Sequence, residues 1–299
     1  SPIYIACGNN NIKCVKILIE NGADINKCNN NGLTPLFIVC QKNNFECLKI
    51  LIENGADINK YKVYSPLYIT CQQNNIECLK ILIENGADIN KCCIGNISPL
   101  YIACQNNNFE CVKILIENGA DINKCNNNDA SPLFIVCQQN NTECVKILIE
   151  NGVDINKCRY DNISSLYIAC YQNSIESVKI LIENNINLYL KNNHNKTAFY
   201  ISHEKYFNNT ILKFLQNGIN IKYELQNAPN ITNCNNNYSY EKYIIKLNKY
   251  HETELKLKYE LMYIICSNNS KSLLSRFFMI NKGLCGNIGR RIISFVNAF

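Results

Sequence analysis

"TPLFIVCQKNNFECLKILIENGADIN", residues 34–59, is the stretch that decides the fold. Thr34 followed by Pro35 reads as a helix start: the hydroxyl accepts a backbone N–H, and a proline at the first helical position loses no hydrogen bond there. Leu36, Val39 and Cys40 follow as apolar positions, and then comes a polar turn at Asn43, a residue type that tolerates the left-handed conformation ending a helix. "FECLKILIENG", residues 45–55, reads as a second, amphipathic helix with Cys47, Leu48, Leu51 and Ile52 at helical spacing and Glu46, Lys49 and Glu53 facing away. Gly55 caps its end, and "ADINK" leads into a short finger.

The unit recurs along the chain. Its [ST]-P-L steps fall at Ser1, Thr34, Ser65, Ser98, Ser131, Ser164 and Thr197, with spacings of 33, 31, 33, 33, 33 and 33. A period of this kind means a solenoid built from one supersecondary unit, here a helix pair, so the fold class is all-α. The other markers recur too: Pro2, Pro66, Pro99 and Pro132 at helix starts, and Asn10, Asn74, Asn107, Asn140 and Asn173 between helices. Gly22, Gly86, Gly119, Gly152 and Gly218 close second helices, with Asn185 in the sixth unit. The finger turns carry Gly32, Asn96, Asp129, Asn162 and Asn195, all types that accept positive φ, whereas the finger Tyr61 to Tyr64 is two residues shorter.

With its T-P-L opening and G-A-D-[VI]-N close, the unit resembles the ankyrin repeat. The resemblance covers about seven units over residues 1–221. It implies an ankyrin-repeat solenoid of stacked helix-turn-helix units with short β-hairpin-like fingers, which binds other proteins with its concave surface. Tyr4, Phe37, Tyr68, Tyr101, Phe134, Tyr167 and Tyr200 stand where the family usually has His, and Asn replaces its Gly between the helices. Ser165 and Ala198 replace Pro, so the sixth and seventh units are expected to fray more easily at that end. The resemblance further implies Asn26, Asn59, Asn90, Asn123 and Asn156 as hydroxylation acceptors in a host that has the hydroxylase. Ser1 opens within a motif, so upstream material is expected.

Of 19 cysteines, eleven occupy two register positions: Cys7, Cys40, Cys71, Cys104, Cys137 and Cys170 late in the first helix, and Cys14, Cys47, Cys78, Cys111 and Cys144 early in the second. Both positions are apolar, where Cys serves as a small hydrophobe. Zinc calls for four ligands in tetrahedral reach, commonly as closely spaced Cys pairs with His, and no such arrangement occurs. The finger cysteines Cys28, Cys92, Cys125 and Cys158 are expected to be partly exposed, and so many unpaired thiols point to a reducing compartment, cytoplasmic or nuclear. Catalysis has little to stand on. His194, His203 and His251 are the only histidines, none beside a nucleophile motif, and Gly-rich phosphate loops and paired metal carboxylates are absent. The recurring Asp24, Asp57, Asp88, Asp121 and Asp154 read as caps of local turns. The chain therefore reads as a non-enzyme without cofactor or metal, and no apolar run approaches the ~20 residues of a membrane-spanning helix.

The 53 asparagines, with abundant Ile, Lys and Tyr, share AT-rich codons and read largely as compositional bias. The net charge of +6 is uneven: residues 1–221 hold 19 Lys+Arg against 19 Asp+Glu, and residues 222–299 hold 11 against 5.

Because stacked repeats share a core, freedom for partner recognition sits at the finger tips and the exposed ends of the first helices. The candidate contact residues are Tyr61, Val63, Tyr64, Ile94, Ile97, Tyr160, Ile163, Tyr171 and Gln172, whose aromatic and aliphatic groups desolvate at little entropic cost. For Ile97 and Ile163 the alternative is packing against neighbouring fingers. Residues 222–259 read as a polar linker with a helix at 240–250, residues 260–280 as a degenerate ankyrin-like cap, and residues 281–299 as an amphipathic terminal helix carrying Leu284, Ile288, Ile292, Ile293 and Val296. That last segment resembles the F-box-like segment ending some ankyrin proteins, which implies a second reading as a substrate-recognition adaptor that recruits a ubiquitin-ligase scaffold. Cys285 and Asn287 stand in place of the family's Pro and acidic residue. Lys242, Lys246, Lys249, Lys256, Lys258, Arg290 and Arg291 raise nucleic-acid binding by the tail as a third reading, with a solvated charged face as its alternative.

Overall fold

The computed structural model describes residues 1–205 together with 207, 209, 210, 213, 214, 217–220, 224 and 249. The expected linker, cap and terminal helix of residues 222–299, with Leu284, Ile288, Ile292, Ile293 and Val296, fall outside them apart from Glu224 and Lys249. The chain forms two compact units, Ser1–Tyr160 and the part from Asp161 onward.

The first unit is five helix pairs: α1 (Pro2–Gly8) and α2 (Ile12–Glu20), α3 (Pro35–Gln41) and α4 (Phe45–Glu53), α5 (Pro66–Gln73) and α6 (Ile76–Glu84), α7 (Pro99–Gln105) and α8 (Phe109–Glu117), α9 (Pro132–Gln138) and α10 (Thr142–Glu150). The second contains α11 (Ser165–Tyr171), α12 (Ile175–Glu183) and α13 (Ala198–Glu204). Local chemistry sets these boundaries. The hydroxyls of Thr34, Ser65, Ser98, Ser131, Ser164 and Thr197 each accept the N–H three residues on at 3.0–3.1 Å, a cap worth about 1 kcal/mol. The bond forms before Ser165 and Ala198 as it does before the prolines. The turn residues Asn10, Asn43, Asn74, Asn107, Asn140 and Asn173 all adopt φ of 53–59°. Positive φ also occurs at the finger turns Gly32, Asn96, Asp129, Asn162 and Asn195. The finger of residues 93–97 closes as an antiparallel bridge, Cys93 to Ile97.

Within the first unit the helices form two rows. Neighbouring first helices (α1, α3, α5, α7, α9) pack more closely than neighbouring second helices (α2, α4, α6, α8, α10). The first-helix row is therefore the inside of the unit's curve. The core lies between the rows: Leu48, Leu51, Leu79, Leu82, Leu115 and Leu148 are fully buried, each contributing about 1.5–3 kcal/mol by leaving water. Cys7, Cys40, Cys71, Cys104 and Cys137 belong to this core, as do Cys47, Cys78, Cys111 and Cys144, whereas Cys14 is exposed. Its register predicts burial, but in the structure no neighbouring repeat covers it.

In the second unit, Phe199 and Phe214 meet edge to face at 5.5 Å. Thr197, which caps α13, also donates its hydroxyl proton to Glu224 Oε2 at 2.8 Å. Burial pushes the Glu224 carboxyl up to about 7.

Candidate functional site

The fingers are built on an Asp–Asn ladder. Within each, an aspartate carboxylate accepts the N–H two residues on, as Asp57 does from Asn59 at 3.0 Å. The amide oxygen of the following Asn then reaches the next repeat: Asn26, Asn59, Asn90 and Asn123 accept the N–H of Asp57, Asp88, Asp121 and Asp154 at 2.7–2.9 Å. Asn59 and Asn90 also donate to Gly86 and Gly119 carbonyls at 3.1 Å. These are four of the five asparagines that the family resemblance marks for hydroxylation, and their amides hold successive fingers at a constant offset.

On this frame the predicted contact residues divide. In the first unit Ile94 and Tyr160 are each 64% exposed and Tyr64 is 39% exposed. Tyr61, Val63 and Ile97 are half-buried. The Tyr61 hydroxyl donates to the Cys92 carbonyl at 3.0 Å, and Lys91 lies over its ring at 5.2 Å, so this side chain ties its own finger to the next. Tyr64 stacks on Tyr68 with ring centroids 5.0 Å apart. The Ile97 carbonyl accepts from Cys93 N–H at 3.0 Å, closing the finger tip that presents Ile94. Arg159 lies over the rings of both Phe134 and Tyr160. In the second unit Ile163 is half-buried, while Tyr171 and Gln172 are exposed at the end of α11 and Lys205 lies 4.0 Å from the Tyr171 ring.

The finger cysteines Cys28, Cys92, Cys125 and Cys158 are half-buried, and burial pushes the Cys92 thiol up. The core thiols sit deeper: burial pushes Cys7 and Cys170 up to about 12 and Cys144 up to about 11. Burial also pushes up Cys40, beside Cys78 of the next repeat, and Cys71, beside Cys111. Thiols raised by burial, as Cys7, Cys40, Cys71, Cys144 and Cys170 are, make poor nucleophiles and poor metal ligands. Among the described residues no three or more His, Cys, Asp or Glu gather where a metal ion could be held, and no helix is long and apolar enough to cross a membrane.

Two features escaped the sequence reading. Asn44, Asn75, Asn108 and Asn141, each just before a second helix, donate to the carbonyls of Cys7, Cys40, Cys71 and Cys104 in the preceding repeat at 2.7–2.9 Å. Asn54, Asn85, Asn118, Asn151 and Asn184 donate to the carbonyl four residues back at 2.7–2.8 Å. Much of the asparagine excess that reads as compositional bias is thus engaged in hydrogen bonds. The sequence signal for the first of these features is the periodic "NN" pair, whose second member precedes each of those helices.

The crystal structure of the human ASB11 ankyrin repeat domain is similar at 26% identity with a TM-score of 0.64, over 71% of this chain and 97% of that one. The ankyrin repeat domain of Bcl-3, described as a unique member of the IkappaB protein family, shares the fold at 23% identity with a TM-score of 0.65, over 72% of this chain and 97% of that one. Among curated proteins none matches significantly. The family model for ankyrin repeats in three copies matches residues 3–93, 67–159, 100–192 and 133–225. Capped helix pairs, left-handed turns and laddered fingers thus agree with the sequence match, and the chain belongs to the ankyrin-repeat family.

Proposed function

We propose that this chain is a non-enzymatic interaction scaffold that binds a partner protein through its finger loops and inner face. Ankyrin repeats in general mediate protein–protein interaction. The observation that carries the reading is the exposure of Tyr64, Ile94 and Tyr160 on the fingers of the first unit. Large apolar groups held on a rigid frame lose little entropy on binding and are enriched among the residues that dominate interface energies. Tyr61 supports this surface from beneath by fixing one finger to the next.

The test is binding of a purified partner, identified by affinity capture with the full chain, to the Tyr64→Ala/Ile94→Ala/Tyr160→Ala variant. Affinity should fall by at least tenfold, about 1.4 kcal/mol, with the helical circular dichroism unchanged because these side chains are exposed. Undiminished affinity in a folded variant would refute the surface.

A further inference from the structure

The first helices of the second to fifth repeats end on a shared feature. Gln41, Gln72, Gln105 and Gln138 each stand seven residues after the capping Thr34, Ser65, Ser98 or Ser131. They lie in the last turns of α3, α5, α7 and α9, on the row that forms the inside of the first unit's curve. Gly8 occupies this register in the first repeat and Tyr171 in the sixth, so the glutamines form a column of four consecutive repeats. Gln41 and Gln105 are exposed, and Gln72 and Gln138 half-buried. No hydrogen bond engages their side-chain amides among the described residues. The nearby amides of Asn44, Asn75, Asn108 and Asn141 are all engaged.

We infer that this column binds an extended, uncharged polypeptide segment by its main chain, a reading that rests on the proposed role of the inner face in partner binding.

Charge separates the two rows. α3, α5, α7 and α9 contain no Asp, Glu, Lys, Arg or His, while α4, α6, α8 and α10 each contain two Glu and one Lys. Lys42, immediately after α3, borders the column at one end, and Arg159 lies over the Phe134 ring of α9 at the other. Between these ends a charged segment laid along the helices would shed water without gaining a counter-charge, a net loss. A peptide main chain suits it, because a glutamine amide offers the donor and the acceptor that a backbone C=O and N–H require. The pitch also fits. Packed helices stand ~8–10 Å apart, and a chain extended as polyproline II rises ~3.1 Å per residue with about three residues per turn. One glutamine therefore meets every third residue, and the column spans roughly ten residues. Because main-chain groups are common to all sequences, the column supplies register and direction, and the exposed finger side chains Tyr64, Ile94 and Tyr160 supply the sequence preference.

The test uses random peptides displayed on phage and selected on the full chain, followed by calorimetric titration of a synthetic copy of the enriched peptide. Enriched peptides should be poor in charged residues. The Gln41→Ala/Gln72→Ala/Gln105→Ala/Gln138→Ala variant should bind at least tenfold more weakly while keeping its helical circular dichroism. Methylating the peptide's backbone nitrogens one at a time should weaken binding with a three-residue period. Failure to enrich any peptide, enrichment of charged ones, unchanged affinity in the folded variant, or loss without that period would each overturn the inference. If the glutamine variant still binds the captured partner and the Tyr64/Ile94/Tyr160 variant does not, the scaffold reading stands and the amide column falls. If both bind it fully, both readings fall.

Discussion

Cys14 in the first repeat and Cys47 in the second share a register, yet Cys14 is exposed and Cys47 fully buried. Ile5 and Ile38 differ the same way, 62% against 7% exposed. Asn11 and Asn44 are also equivalent: Asn11 caps its own helix by accepting the Cys14 N–H at 3.0 Å, while Asn44 reaches the Cys7 carbonyl of the repeat before it. The residues are the same, and only the neighbour has changed. In a solenoid, burial belongs to the interface between repeats rather than to the repeat.

A charge placed at the shared cysteine register tests this most severely. Cys111→Asp places a carboxylate at a fully buried position, where the thiol it replaces meets Asn74, and should cost more than about 4 kcal/mol. Cys14→Asp, in a chain that begins at Ser1, should stay within about 0.5 kcal/mol. Urea denaturation of the two variants reads the difference, and equal costs would break the comparison.

The thiols predict a pH dependence. Burial pushes Cys144 from 9.0 up to about 11. The folded value lies above the unfolded one, so the stabilisation is fully present below pH 9 and disappears as pH rises toward 11. A shift of this size corresponds to about 2–3 kcal/mol. Thermal unfolding followed between pH 8 and 11 should show the loss, and Cys144→Val should reduce it; an unchanged profile would mean that the core thiols do not control alkaline unfolding.

A smaller effect is expected from the asparagines. Asn108→Ala removes the donor to the Cys71 carbonyl and should cost about 1–3 kcal/mol, whereas Asn11→Ala loses only a local cap, about 1 kcal/mol. Amide hydrogen exchange would also separate them: Asn108→Ala should speed exchange in the repeats on both sides, and Asn11→Ala only in α2.

Much of this architecture is legible in the sequence because its causes are short-range. A Ser or Thr hydroxyl caps a helix through an N–H three residues away, and Asn or Gly accepts positive φ by its own covalent structure. The exposure of Tyr64, Ile94, Tyr160 and Tyr171 also follows the pattern, since finger tips and first-helix ends have no repeat stacked over them. Tyr61 was less legible: its hydroxyl partner, the Cys92 carbonyl, lies 31 residues away on the next finger. The glutamine column is not legible in the sequence, because each residue is ordinary alone and only the alignment of four helices brings them into one row.

The sequence alone determined the period, the helix boundaries, the left-handed turns and the apolar register of the cysteines. Tertiary structure alone decided which repeat each group serves. Cys40 and Cys47 lie seven residues apart, but Cys40 meets Cys78 of the next repeat, and the Cys47 thiol reaches Asn10 of the preceding one at 3.2 Å. Helix starts and turn conformations are set by atoms within one turn of chain. These pairings depend on the offset at which one repeat stacks on the next, a quantity set by packing of whole faces and carried by no single residue.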